Sequence, residues 1–156
     1  MNRYQLCKNP IHLASFGFGS GLAPKAPGTF GTVMAIPLWL LLEPQPLLSY
    51  VVVVLVAFGF GVFCCGYTAK AMGVHDDGSI VWDEFVGFWI TMCAVPAEPL
   101  WMLVGFVLFR LFDIVKPWPI KWLDKHVHGG FGIMIDDVLA GVFAAVLLQL
   151  FMAFAA

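Results

Sequence analysis

The chain has 156 residues, 61% of them hydrophobic and only 12% charged, and a mean hydropathy of +0.90. A soluble domain charges about a quarter of its residues, so this composition excludes an ordinary soluble protein and implies an integral membrane one. The formal net charge of -2 argues against nucleic acid as a partner, and the length suits one compact membrane-embedded domain over residues 1–156.

The opening stretch, MNRYQLCKNPIHLASFGFGSGLAPKAPGTFG, lacks a sustained apolar core behind its first basic residues. No cleavable signal is expected, and the chain is expected to begin in the cytoplasm. Cys7, Cys64, Cys65 and Cys93 form no C-x-x-C pair and are expected to fill apolar space rather than form disulfides or a zinc site.

Apolar runs bounded by proline or polar residues then divide the chain into about five helices. The first, TFGTVMAIPLWLLL, stops at Glu43-Pro44 and has Pro37 as a place to kink. LLSYVVVVLVAFGFGVFCC is long enough to cross a bilayer alone, whereas IVWDEFVGFWITMCAV is short and carries two acids near its start. PLWMLVGFVLFRLFDIV stops at Lys116-Pro117, and VLAGVFAAVLLQLFMAFAA closes the chain. Only the second and fifth approach the roughly 20 apolar residues of a straight span. The predicted class is an all-α polytopic bundle of about five helices.

If all five cross, the N-terminal segment and the loops near 66–79 and 116–132 share one side. They hold Arg3, Lys8, Lys25, Lys70, Lys116, Lys121 and Lys125, while the other side has Glu43 and Glu98 and no Lys or Arg. The basic side is then cytoplasmic and the C-terminus points outward. Nearly every unusual polar segment falls on that same side, which predicts a site at the cytoplasmic face.

Asp83-Glu84, inside the third run, and Asp136-Asp137, leading the fifth, are the first candidates for catalysis and for holding metal. An ionised carboxylate at mid-bilayer costs about 2.5–3.5 kcal/mol on insertion scales, and several together repel one another unless a cation holds them. Magnesium suits paired acids with no supporting Cys/His set. Asp is also a good helix N-cap, so Asp136-Asp137 alone reads equally as a cap. Asp76, Asp77 and Ser79 read as turn and capping residues. Asp83-Glu84, following Ile80, Val81 and Trp82, is harder to explain structurally.

Arg110, Asp113 and Lys116 follow at intervals of three along the fourth helix. Arg110 and Lys116 are candidate phosphate clamps, with Asp113 orienting Arg110 or binding metal; a self-satisfied Arg–Asp pair with a snorkelling lysine is the alternative. In APKAPGTFGT, Lys25, Thr29 and Thr32 with nearby backbone amides could hold an anion before a helix, although the loop does not match a P-loop. His75 is a candidate proton shuttle or loop stabiliser. His126 and His128 read as loop residues, and His12 carries no signal. Ala140, Gly141, Ala144 and Ala145 permit close helix packing, within the chain or between copies.

Four motifs, APGTFGT, HDDGSIVWDEFVG, FRLFDIVKPWPI and GGFGIMIDDVLAG, occur in an order that closely resembles the phosphatidylglycerophosphatase A family from about Gly21 to Gly141. That resemblance implies an all-helical bacterial inner-membrane enzyme that requires magnesium and removes the terminal phosphate of phosphatidylglycerophosphate to give phosphatidylglycerol. Aspartyl-phosphate, cysteine and histidine phosphatase patterns are absent, as is the CDP-alcohol phosphotransferase motif. Direct attack by water and attack by a carboxylate, Asp83 or Asp137, are both open. A small ion-coupled transporter using intramembrane carboxylates is the competing class; it predicts polar groups at mid-depth or on both faces rather than on one.

Overall fold

The computed structural model describes residues 2–156. It contains α1 (Arg3–Leu6), α2 (Pro10–Ser15), a 3₁₀ segment (Gly17–Leu22), α3 (Pro27–Leu42), α4 (Leu47–Met72), α5 (Trp82–Thr91), α6 (Pro99–Val115), α7 (Ile120–His126) and α8 (Gly129–Ala155), with no strand among the described residues. Proline begins α3 and α6, where its missing N–H costs nothing. Gly73, at φ 69°, ends α4 in the left-handed conformation that glycine adopts freely. α3 runs through Pro37 as one helix.

Each of the five expected apolar runs forms a helix, but their lengths separate them. α4 and α8, at 26 and 27 residues, are long and apolar enough to cross a membrane. Only 22% of the most apolar window of each is buried, the reverse of a core helix in a soluble protein. The third run, short already in the sequence, is a helix of 10 residues, about 15 Å long and roughly half the hydrocarbon thickness. Nine of those residues are buried. α5 is the axle of the molecule, packed by α3, α4, α6 and α8.

Aromatic side chains pin the axle by donating to helix carbonyls that their neighbours leave accessible. Trp82 Nε1 donates to the Ala57 carbonyl (3.0 Å), Trp89 Nε1 to that of Ala35 (3.1 Å), and Tyr50 Oη to that of Trp89. These bonds set a depth: the start of α5 lies opposite Ala57, about 15 Å along α4 from Leu47 at 1.5 Å per residue. The first turn of α5 is thus level with the middle of α4 rather than its end. The rest of α4 is flanked by the N-terminal segment. There His12 Nδ1–H donates to Thr68 Oγ1, Thr68 to Ser15 Oγ, and Ser15 to the Cys64 carbonyl, each at 2.8 Å. The Ser15 carbonyl accepts from Val81 N–H at 2.8 Å, fixing the chain two residues before Asp83.

The α5–α8 contact depends on absent side chains. A Cβ on Gly141 would stand 2.5 Å from the Gly87 carbonyl oxygen, and one on Gly87 would stand 2.5 Å from the Phe109 ring and 2.8 Å from the Asp137 carbonyl. Ala140 and Ala144 are fully buried, so these members of the small-residue stripe are spent inside the chain. Cys64 and Cys65 are buried and all four cysteines are free. In the α4–α5 loop, Asp77 accepts from the Ser79 N–H (2.9 Å) and hydroxyl and pairs with Arg3 at 2.8 Å, which bears out its reading as a turn residue. Burial pushes the Asp77 carboxyl up, but the bonds from Ser79 and Arg3 outweigh it and hold the group below its usual value.

Gly87→Val should destabilise the fold by about 1–3 kcal/mol, the usual cost of overpacking, read as a lower melting temperature in detergent. An unchanged melting temperature would show that the α5–α8 approach is not tight.

Candidate active site

Three helices deliver acids and bases to one buried cluster. α5 presents Asp83 and Glu84 in its first turn, α8 presents Asp136 and Asp137, and the last two turns of α6 bring Arg110 and Asp113, with Lys116 just beyond. Asp83, Glu84, Asp113, Asp136 and Asp137 are between 2% and 9% exposed. Five carboxylates surround two cations, Arg110 and Lys116, so full ionisation would leave three negative charges unmatched. Isolated buried charge is among the most expensive things a protein can hold.

Of the two sequence pairs, Asp83-Glu84 stays together and Asp136-Asp137 is divided. Asp83, Glu84 and Asp137 each turn an oxygen inward, all within 4.8 Å of one another. Asp83 Oδ1, Glu84 Oε2 and Asp137 Oδ2 are buried without a hydrogen-bond partner. Three neighbouring carboxylates, each with a buried oxygen that lacks a partner, fit a hard divalent cation in donor chemistry and in spacing. Asp136 turns the other way and accepts from Lys116 Nζ at 2.7 Å.

The capping reading of Asp136-Asp137 is overturned. α8 begins at Gly129, with His128 as its N-cap, so both acids lie about two turns inside the helix. GGFGIMI looked like a loop leading into the fifth helix because glycine is a poor helix former. Gly130 packs too closely on α4 to tolerate more: a Cβ there would meet the Val62 carbonyl at 1.8 Å.

Arg110 forms an ion pair with Asp113 and lies 3.7 Å from Glu84 Oε1. Its Nε is buried and unpartnered, leaving one donor of the guanidinium free. Lys116 does not snorkel; besides Asp136 it lies 3.8 Å from Asp113 and 3.9 Å from Asp124. Its backbone is left-handed, φ 49°, a conformation that costs a side-chain-bearing residue energy and clusters at functional sites.

The N-terminus of α3 completes the wall. A Cβ on Gly28 would stand 2.6 Å from Glu84 Oε1 and 3.0 Å from the Arg110 guanidinium nitrogens, so only glycine lets this helix end approach them. Thr32 is buried and donates back to the Gly28 carbonyl at 2.9 Å. Thr29 sits half-buried in the same first turn, and Lys25 is exposed in the loop before it. His75 is exposed and its Nε2 lies 2.9 Å from His128 Nδ1. That contact ties the α4–α5 loop to the start of α8.

Some supporting residues had no signal in the sequence. Gly28 is one glycine of a Gly/Pro-rich loop, and nothing local distinguishes it. The His12–Thr68–Ser15 chain joins residues 53 and 56 positions apart. Only its buried, mutually satisfying geometry reveals it.

The family model described as phosphatidylglycerophosphatase A matches residues 13–152. Phosphatidylglycerophosphatase A of Escherichia coli is 56% identical over 138 residues, covering 88% of this chain and 80% of that protein. The Haemophilus influenzae protein of the same name is 48% identical over 140 residues, 88% of this chain and 86% of its own length. A Bacteroides thetaiotaomicron protein provisionally named phosphatidylinositol-3-phosphatase is 40% identical over 144 residues, 87% of this chain and 89% of its own. No solved structure matches the chain. With a family match across most of its length and three of the four motifs supplying the acids, the arginine and the lysine of a single cluster, this chain belongs to the phosphatidylglycerophosphatase A family.

Proposed function

We propose that this chain is a magnesium-dependent lipid phosphatase of the bacterial inner membrane. It hydrolyses the terminal phosphate of phosphatidylglycerophosphate to phosphatidylglycerol and inorganic phosphate, at the cytoplasmic side of a bundle whose longer helices cross the bilayer. The observation that carries this reading is the convergence of the carboxylates of Asp83, Glu84 and Asp137, each with a buried oxygen that lacks a partner, in a chain whose relatives are named for the activity.

Asp83, Glu84 and Asp137 would hold the magnesium, whose Lewis-acid chemistry neutralises phosphate charge and makes water a stronger acid. The protein's own groups do the rest. Hydrolysis forms a bond from a water oxygen to phosphorus, breaks the ester P–O bond, and returns a proton to the glycerol oxygen. A cluster carboxylate takes the water proton. Arg110, held in orientation by Asp113, uses its free donor on the equatorial phosphate oxygens, where charge stabilisation dominates phosphoryl transfer. Lys116 offsets Asp136 and so limits the repulsion on its neighbour Asp137. The first turn of α3, with Gly28 and Thr29, is a further wall for the anion. The deciding experiment is phosphate release from phosphatidylglycerophosphate by purified protein with and without magnesium; release that ignores magnesium would sink the metal assignment.

Because Asp137 lies inside α8 rather than at its end, Asp137→Asn should leave the helix intact. Turnover should fall by roughly two orders of magnitude or more, the scale on which one charge-stabilising group acts in a preorganised site. Near-normal turnover at saturating magnesium would remove Asp137 from the metal set.

Magnesium should raise the melting temperature by mass action, equivalent to about 2.7 kcal/mol at a hundredfold excess over Kd. Glu84→Gln or Asp137→Asn should each abolish most of that rise, and the double variant should lose little more, because groups on one site are non-additive. Additive losses would mean two separate sites. Without metal, both variants should melt no lower than the parent, since each relieves repulsion.

Orientation is read by labelling single cysteines in a cysteine-free background. Lys121→Cys should react only with membrane-permeant reagents and Pro99→Cys from outside the cell; the opposite pattern would invert the topology.

A further inference from the structure

The turn and short helix between α6 and α8 lie outside the chemistry described so far, yet they carry an unusual surface. Trp118 is 81% exposed and Trp122 50% exposed, while Ile120 between them is fully buried. Lys121 and Lys125 are exposed beside the indoles. The one acid of α7, Asp124, is half-buried and lies 3.9 Å from Lys116. Burying Ile120 against the bundle leaves an outer face of two indoles and two ammonium groups. The Trp122 ring is held in place: His126 stacks on it at 4.7 Å and its Nδ1–H donates to the Trp122 carbonyl at 2.8 Å.

An isolated exposed tryptophan needs no explanation, but this face continues an apolar belt. Leu111, Ile114 and Val115, in the last turns of α6, are all more than half exposed, and Phe131 in the first turn of α8 is 48% exposed. α7 therefore sits where the apolar flank of the bundle gives way to charge. Indole rings prefer that boundary, with an apolar body on one side and an N–H on the other, and lysines near it attract anionic headgroups. Charge complementarity selects the occupant.

We propose that α7 and the turn before it are a docking surface for anionic phospholipid headgroups, separate from the groups that hold the substrate phosphate. The proposal rests on the reading that the bundle crosses a bilayer. On that reading Trp118 and Trp122 seat at the headgroup level and Lys121 and Lys125 bind lipid phosphates, gathering anionic lipid beside the mouth of the acid cluster.

The test reconstitutes the full chain in phosphatidylcholine vesicles brominated either near the carbonyl end or near the methyl end of the acyl chains, with or without phosphatidylserine. The phosphate of phosphatidylserine is a diester and offers the active site no monoester. Comparison with Trp118→Phe/Trp122→Phe isolates the fluorescence of those two indoles. That component should be quenched by shallow bromines more than by deep ones, and more strongly when phosphatidylserine is present. Lys121→Gln/Lys125→Gln should lose the phosphatidylserine increment and keep the shallow quenching. Quenching that survives unchanged in the lysine variant, or is equal at both depths, overturns the proposal. If Trp118 and Trp122 are unquenched while Trp101 on α6 is quenched, the docking surface fails and the bilayer reading stands. If no tryptophan is quenched, both fall.

Discussion

Everything specific about this molecule follows from burying five carboxylates against two cations in a chain of which only 12% of residues are charged. A protein can afford that imbalance only if something offsets it, and the fold shows how part of the offset is built in. Asp136 takes Lys116, and Asp113 takes Arg110. The remaining three, Asp83, Glu84 and Asp137, keep oxygens without partners. Buried polar groups are ordinarily paired, so three acids left close together with unpartnered oxygens are what the proposed cation would satisfy.

The short axle makes the convergence geometrically feasible. A full-length helix in place of α5 would put its first turn at the end of the bundle, open to water. At 10 residues, α5 instead starts level with Ala57, near the middle of α4, and its two acids meet Asp137 about two turns into α8. The surrounding wall is then made by elements too short to span anything: α2, the 3₁₀ segment and the first turn of α3. Close approach does the remaining work. Gly87 and Gly141 let α8 lie against α5, and Gly28 lets α3 reach Glu84 and Arg110.

Much of this was legible in the sequence for a plain reason: charge in an apolar run is costly wherever it falls, so Asp83, Glu84, Arg110, Asp113 and Asp137 announced themselves without a structure. The two longest helices were legible too, because a span is a matter of length and hydropathy. What could not be read depended on contacts distant in sequence. The start of α8 was misplaced because Gly129, Gly130 and Gly132 together signal a loop, and only the structure shows that α4 passes too close to Gly130 for a side chain. Whether α5 crosses could not be read, because burial on all sides gives the same continuous apolar run as a bilayer does. The division of Asp136 from Asp137 is set by the helical rotation between neighbours, which sends one toward Lys116 and the other toward α5.

Lys116 shows how few residues such a site requires for its organisation. It ends α6 in a left-handed turn, φ 49°, and the following Pro117 prevents the helix from resuming. The same turn points the ammonium back at Asp136 and throws the chain outward, so that Trp118 and α7 emerge on the surface. A glycine there would relieve the backbone but leave Asp136 unpaired beside Asp137, adding a charge to a cluster already three in excess. A lysine in an ordinary helical turn would keep the charge and lose the change of direction. The strained conformation persists because one residue must do both, coupling the electrostatics of the buried acids to the position of the face proposed to meet the lipid.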